Sequence, residues 1–262
     1  MIIDFNSYIG NYPFRRIKYN TPHGLYTLMS KVGIDKALVS GFEAIFYKNW
    51  FEANSILLHE IEKSSLDIKR RMLACITVNP LTPGWTFDLD KCIEKAFALR
   101  LYPNYHGYRL NEREVDTLAE EARPYNLPIL ITVRIQDERS HPLMLRVPPV
   151  DLSGILEFAE RHSDIQFVIC NAYFNEVLSR RKEISSLENV HVELSFISTV
   201  RLDSIEVLSN EIGADRLILG TYMPFFYPEC IVNRIKLSEL SRKDKELIMW
   251  RNAAKLLKIN DF

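Results

Sequence analysis

The sequence predicts an α/β protein built as a single (β/α)8 barrel, and three observations predict it. Eight short apolar or alternating runs recur along the chain, eight amphipathic stretches of helical length separate them, and no break in composition divides the 262 residues. Each strand of a parallel sheet needs a crossover helix, and eight repeats close the count. One barrel over residues 1–262 is the expected domain organisation.

The strand runs are Ile2 to Asn6, Lys36 to Gly41, Met72 to Asn79, Ala98 to Tyr102, Pro128 to Arg134, Ile165 to Asn171, Val190 to Ser195 and Arg216 to Thr221. Helices are expected over Leu25 to Lys31, Trp50 to Ser64, Asp88 to Phe97, Glu112 to Tyr125, Leu152 to Arg161, Glu176 to Leu187, Leu202 to Ile212 and the C-terminal stretch to Leu257. The competing architecture, a doubly wound open sheet, would normally carry a glycine-rich turn after its first strand. The chain has nine glycines and neither G-x-G-x-x-G nor G-x-x-x-x-G-K-[ST], which disfavours a dinucleotide or nucleoside triphosphate.

Composition narrows the function classes. Lys plus Arg is 33 against 34 Asp plus Glu, a formal charge of -1, so no cationic surplus exists to hold nucleic acid or an anionic membrane. With 47% apolar residues the chain can build a packed core. No uncharged run reaches the roughly 18 apolar residues needed to span a bilayer, and MIIDFNSY does not read as a signal peptide. A cytoplasmic protein is expected. Cys75, Cys92, Cys170 and Cys230 lie far apart and should be reduced thiols.

Strand parity points to the lumen, because side chains alternate between the helical layer and the barrel interior. In 129–136 the odd positions are all apolar while the even ones end in Thr132, Arg134 and Gln136, so the even set should face inward. The same reading turns Arg100, Tyr102 and Asn104 inward on strand four, and His191, Glu193 and Ser195 on strand seven. On strand one, Ile3 and Phe5 face out and Asp4, Asn6 and Tyr8 face in. Cys170 reads as outward-facing packing. Asp4, Arg100 and Glu193 either satisfy one another as buried ions or line a site at the C-terminal strand ends, where barrel enzymes place their chemistry. Arg100 and Arg134 together ask for carboxylate partners, which Asp4 with Glu193 or a small anionic molecule would supply.

The strand ends resemble the amidohydrolase-related barrels, the amidohydrolase-2 group of metal-dependent hydrolases and decarboxylases. Asp4-Phe5-Asn6-Ser7-Tyr8-Ile9-Gly10 aligns with that family's opening Asp, H-x-H and Gly; Arg100-Leu101-Tyr102-Pro103 looks like its Leu-His-Pro phrase. Residues 126–132 are similar to its strand five, 167–171 to its strand six, and 216–224 to the strand-eight phrase that carries a catalytic Asp before Pro. Trp250-Arg251-Asn252-Ala253-Ala254-Lys255-Leu256-Leu257 resembles its closing helix. The resemblance implies the barrel fold and, by analogy, a homodimer. It also implies metal ligands that this chain does not have, since Asn6, Tyr8, Thr132 and Asn171 stand for four histidines and Tyr222 for the aspartate. Amides, hydroxyls and phenols are poor zinc ligands, so no metal and no other cofactor is expected.

Chemistry without a metal must come from positioned acids, bases and cations. Arg100 and Arg134 are candidates to clamp a carboxylate, with Asn6, Tyr8, Tyr102, Asn171 and Tyr222 as further substrate contacts. Glu193 or Asp137 is the candidate general base and His106 a candidate proton carrier. Residues 134–142 form a dense polar loop on the expected catalytic face, and Tyr8, Tyr12, Tyr102, Tyr173, Tyr222, Phe225, Phe226 and Tyr227 suggest a pocket for a flat ligand. The leading reading is a metal-independent hydrolase of a small carboxylated lactone, ester or amide. Two others stay open: a catalytically silent barrel that binds a ligand or partner, and a metal-dependent hydrolase or decarboxylase whose ligands have moved to His106, Asp137, Glu138 and His141.

Overall fold

A computed structural model of the protein describes residues 1–141, 145–197 and 201–259; Pro142, at the end of the polar loop, lies outside the described residues. The strands are β1 (Ile3–Ile9), β2 (Lys36–Gly41), β3 (Met72–Thr77), β4 (Ala98–Leu101), β5 (Ile129–Thr132), β6 (Phe167–Cys170), β7 (Val190–Glu193) and β8 (Leu217–Ile218). They pair in parallel and in chain order. Three backbone hydrogen bonds close the ring between β1 and the chain around β8: Phe5 to Leu219, Tyr222 to Asn6 and Tyr8 to Met223, at 2.9, 2.8 and 2.9 Å. The architecture is the expected (β/α)8 barrel.

Local chemistry sets the helix limits. The first helix, Pro22–Val32, starts earlier than the apolar spacing predicts because Thr21 caps it and Pro22 suits its first turn. The stretch expected as helix over Asp88 to Phe97 is instead a short helix, Trp85–Asp90, and a 3-10 turn, Ile93–Lys95. The chain ends in Pro228–Leu237 and then a helix over 242–257 whose middle, Leu247–Arg251, is a π turn. Asn252 Nδ2 ties that closing helix to the Ala214 and Leu217 carbonyls at 2.9 and 2.8 Å.

The barrel wall separates two apolar clusters. Leu99, Leu101, Ile129, Ile131, Val133, Val192 and Leu194 pack against the helices, as their parity predicts. Leu38, Leu73, Cys75, Leu130, Val168 and Ile218 fill the lumen. Three parity assignments are corrected. Ile3 and Phe5 both belong to the lumen cluster although Asn6 and Tyr8 also face inward, because the pairing register of β1 shifts between Asp4 and Ser7 and reverses the alternation within the strand. Cys170 also faces the lumen; Phe-Val-Ile-Cys is apolar on both faces and has no readable parity. A third cluster caps the C-terminal end: Tyr8, Tyr12, Phe42, Tyr102, Phe196 and Tyr222, with Tyr173 and Phe225 packed on it. Tyr227 is not part of this cap and stands 78% exposed at the start of the Pro228–Leu237 helix.

Candidate functional site

Below the aromatic cap lies a buried polar network that begins on β1. Asn6 Nδ2 donates to Asn171 Oδ1 at 2.7 Å and to Glu193 Oε2 at 2.9 Å, while its Oδ1 accepts from Arg100 Nη1 at 2.8 Å. The same Nη1 donates to the Tyr8 hydroxyl, and Tyr102 donates to Tyr8 at 3.2 Å. Glu193 also accepts from the Ser195 amide and hydroxyl at 2.6 and 2.9 Å and from the Asn171 amide at 3.2 Å. Its carboxylate packs so tightly on Gly220 that a Cβ there would sit 1.9 Å from Oε1. Asp4 is separate: Thr221 and Ser7 hydroxyls and the Asn6 and Thr221 amides surround it, stitching β1 to the chain that follows β8.

The network holds charge away from the protein surface. Asn6, Tyr8, Arg100, Tyr102, Asn171 and Glu193 are all fully buried. Burial pushes the Glu193 carboxyl up to about 7 against the pull of its hydrogen bonds, and pushes Asp4 up as well. Burial likewise raises the Tyr8 phenol, which keeps its proton. Asn171 and Tyr222 have left-handed backbones, with φ of 60° and 56°. That twist at the end of β6 brings Asn171 into the network although Cys170 before it already faces the lumen.

Tyr222 is the roof of this chamber. Its ring meets Tyr8 edge-on at 5.4 Å, stacks on Phe225 at 5.0 Å, and its hydroxyl donates to the Ile135 carbonyl. Above it opens a cavity of about 820 Å³ lined by Arg15, Arg134, Tyr173, Phe196, Tyr222 and Phe225, with the loop from Ile135 to Ser140 at its rim. Arg15 sits 5.1 Å above the Phe225 ring and forms no ion pair among the described residues. The other cations at this mouth are occupied. Arg134 clasps Glu176 and lies 4.0 Å over the Tyr173 ring, and Arg139 forks onto Asp137.

The structure thus gathers Asn6, Tyr8, Arg100, Tyr102, Asn171 and Glu193 into one network, and sets Tyr222 directly above it. Arg134 touches the network only through Asn171: its Nη1 donates to the Asn171 carbonyl at 2.9 Å, and Asn171 Nδ2 donates to the Arg134 carbonyl at 2.6 Å. Asp137 lies at the mouth, held by Arg139 and Tyr173, and the Arg139 contact keeps its carboxyl well below the usual range. His106 lies apart, its Nε2 against the Ala44 carbonyl at 3.1 Å and its pKa lowered by burial to about 4. His141 Nδ1 accepts from the Val147 amide at 3.4 Å. Sequence reasoning missed Arg15, which lies in a loop with no periodicity, and Glu176, which opens a helix as ordinary surface charge. It also passed over Gly220, Ser40 and Thr77, though the last two are polar residues at strand ends that parity could have flagged.

Comparison with known proteins places this geometry. A family model described as Amidohydrolase matches residues 37–259. The chain belongs to the amidohydrolase-2 family. A curated 2-amino-3-carboxymuconate-6-semialdehyde decarboxylase of Caenorhabditis elegans is 37% identical over 60 residues, a stretch covering 22% of this chain and 15% of that protein. The barrel superposes on a 2,6-dihydroxybenzoate decarboxylase from Rhizobium with a TM-score of 0.75 at 15% identity, covering 99% of each chain. A dihydroxybenzoic acid decarboxylase from a Polaromonas species, solved with manganese and 2-nitroresorcinol, gives a TM-score of 0.76 at 14% identity, covering 100% of this chain and 98% of that one.

The family implies a metal ion, and the residues present do not fit one. At the two H-x-H positions Asn6 Oδ1 and the Tyr8 hydroxyl both accept from the Arg100 guanidinium, a cation that would repel a divalent ion there. Asn6 and Asn171 are amides already paired with each other, and Tyr8 is a protonated phenol. Among the described residues no cluster of three or more His, Cys, Asp or Glu side chains is placed to hold a metal.

Proposed function

We propose that this amidohydrolase-2 barrel works without a divalent ion and binds a small, flat carboxylated compound at its mouth. Arg15 takes the carboxylate and the stacked Tyr222 and Phe225 rings take the apolar face. One observation carries the reading. Tyr222, at the position of the family's catalytic aspartate, lines the cavity and packs on Tyr8 of the buried network, while Glu193 is fully buried and absent from the cavity wall, so a ligand in the mouth meets rings and a guanidinium rather than the buried acid. Two of the neighbours bind benzene-ring ligands, 2,6-dihydroxybenzoate and 2-nitroresorcinol, which supports a ring-shaped ligand class here.

The test combines elemental analysis of the purified protein with a thermal-shift titration of benzoate. No stoichiometric manganese or zinc, a saturable rise in melting temperature, and an affinity at least about tenfold weaker in Arg15→Gln are expected, a loss of about 1.4 kcal/mol. Stoichiometric metal, or an Arg15→Gln titration identical to the wild type, overturns the reading.

A second reading, metal-independent hydrolysis of a carboxylated lactone, ester or amide, is favoured by the Glu193 carboxyl poised near 7 beside Ser195. It requires the Tyr222 ring to swing aside. Turnover of such a lactone that disappears in Glu193→Gln would establish it.

A further inference from the structure

Arg100 is fully buried and forms no ion pair among the described residues. A guanidinium stays charged at any ordinary pH and offers five N–H donors. Only Nη1 is served, by Asn6 and Tyr8; Nε and Nη2 have no partner. Those two nitrogens form the side of the guanidinium that grips both oxygens of a carboxylate. Three hydroxyls on neighbouring strands are buried and unpartnered as well: Ser40 on β2, Thr77 on β3 and Thr132 on β5. Thr77 is the register partner of Arg100, and the Cys75 thiol lies beside both Ser40 and Arg100. Thr132 stands two residues past Leu130, the partner of Arg100 on its other side. A fork of charged donors and three rotatable hydroxyls therefore face one side of the lumen, where the Cys75 thiol, a weak hydrogen-bonding group, is the partner within reach of Ser40 and Arg100.

We propose that this inner chamber is a second binding site, which takes a small planar oxyanion of the formate, bicarbonate or nitrate class on the Nε–Nη2 fork of Arg100. Charge argues for an anion rather than water alone. Glu193 reaches Arg100 only through Asn6, whose carbonyl accepts from the arginine while its amide nitrogen donates to the carboxylate. Asp4 is enclosed by its own four donors and is no closer to pairing with the guanidinium. An oxyanion at the fork would neutralise the buried cation and accept from the hydroxyls together. The site lies on the β2–β5 side under Tyr8, away from the mouth cavity, whose lining includes none of these residues.

The probe is sodium formate, titrated at constant ionic strength against sodium chloride with melting temperature as the readout. A saturable rise with formate beyond that with chloride is expected. Arg100→Lys keeps the charge and removes the fork, and weakens apparent formate affinity at least about tenfold. Thr77→Val removes one hydroxyl at nearly constant volume, weakens it about threefold, and serves if the lysine variant does not fold. A crystal structure from formate shows planar density on Nε and Nη2. The proposal is overturned by equal responses to formate and chloride, by a formate response unchanged in both variants, or by density for ordered waters only. Benzoate is read through Arg15→Gln at the mouth and formate through Arg100→Lys in the lumen, so loss of one response with retention of the other separates failure of this proposal from failure of the outer-site reading.

Discussion

Glu193 is a residue on which two forces pull in opposite directions. Three residues donate four hydrogen bonds to its carboxylate, yet burial prevails and lifts its pKa from 4.5 to about 7. The folded state then keeps a proton that the unfolded chain releases near 4.5, so this group's stabilisation is complete below pH 4.5 and is lost as the pH climbs through about 7. The loss amounts to about 3 kcal/mol. Melting temperature should fall between pH 5 and 7.5 more steeply in the wild type than in Glu193→Gln; parallel curves would show that the hydrogen bonds win. Gly220→Ala tests the same carboxylate sterically. With a Cβ 1.9 Å from Oε1, the substitution should cost roughly 1–3 kcal/mol by chemical denaturation, unless Glu193 is first shortened to Ala. Parity alone marked Arg100, Asn6, Tyr8 and Glu193 as inward, because each interrupts an otherwise apolar alternation. Arg15 carried no such mark: it acts through a stacking contact with Phe225, which is far away in the chain.

Among the elements, β3 shows how a helix completes a strand. Its pairing with β2 ends at Ala74, and the Asn54 side chain of the Trp50–Glu62 helix takes over at Thr77, donating to its carbonyl at 2.7 Å and accepting from its amide at 2.9 Å. Asn54→Leu leaves both buried backbone groups unpaired and should cost roughly 2–4 kcal/mol in urea unfolding. The eight strands were legible because their lengths and spacing follow from apolar runs. Two features were not. The register shift in β1 leaves no trace in Ile-Asp-Phe-Asn-Ser-Tyr, and the left-handed turn at Tyr222 runs against the preference of an aromatic residue, whereas asparagine at 171 tolerates that conformation locally.

At the scale of the whole molecule, the order of the strand-end phrases carried the family, while the chemistry had to be read from what replaced its ligands. No helix among the described residues is long and apolar enough to cross a membrane. With Arg100 as an internal cation, the barrel should not depend on a metal for its stability. Dialysis against EDTA is expected to shift the melting temperature by less than about 1 °C, and a larger drop that manganese reverses would contradict this. The Tyr222 roof has a kinetic consequence. Whatever enters the space beneath it must wait for an aromatic ring to leave its neighbours, so arrival rates would level off with rising solute concentration, and departure would be slow for the same reason. The inner compartment would then hold its guest by delay as much as by attraction.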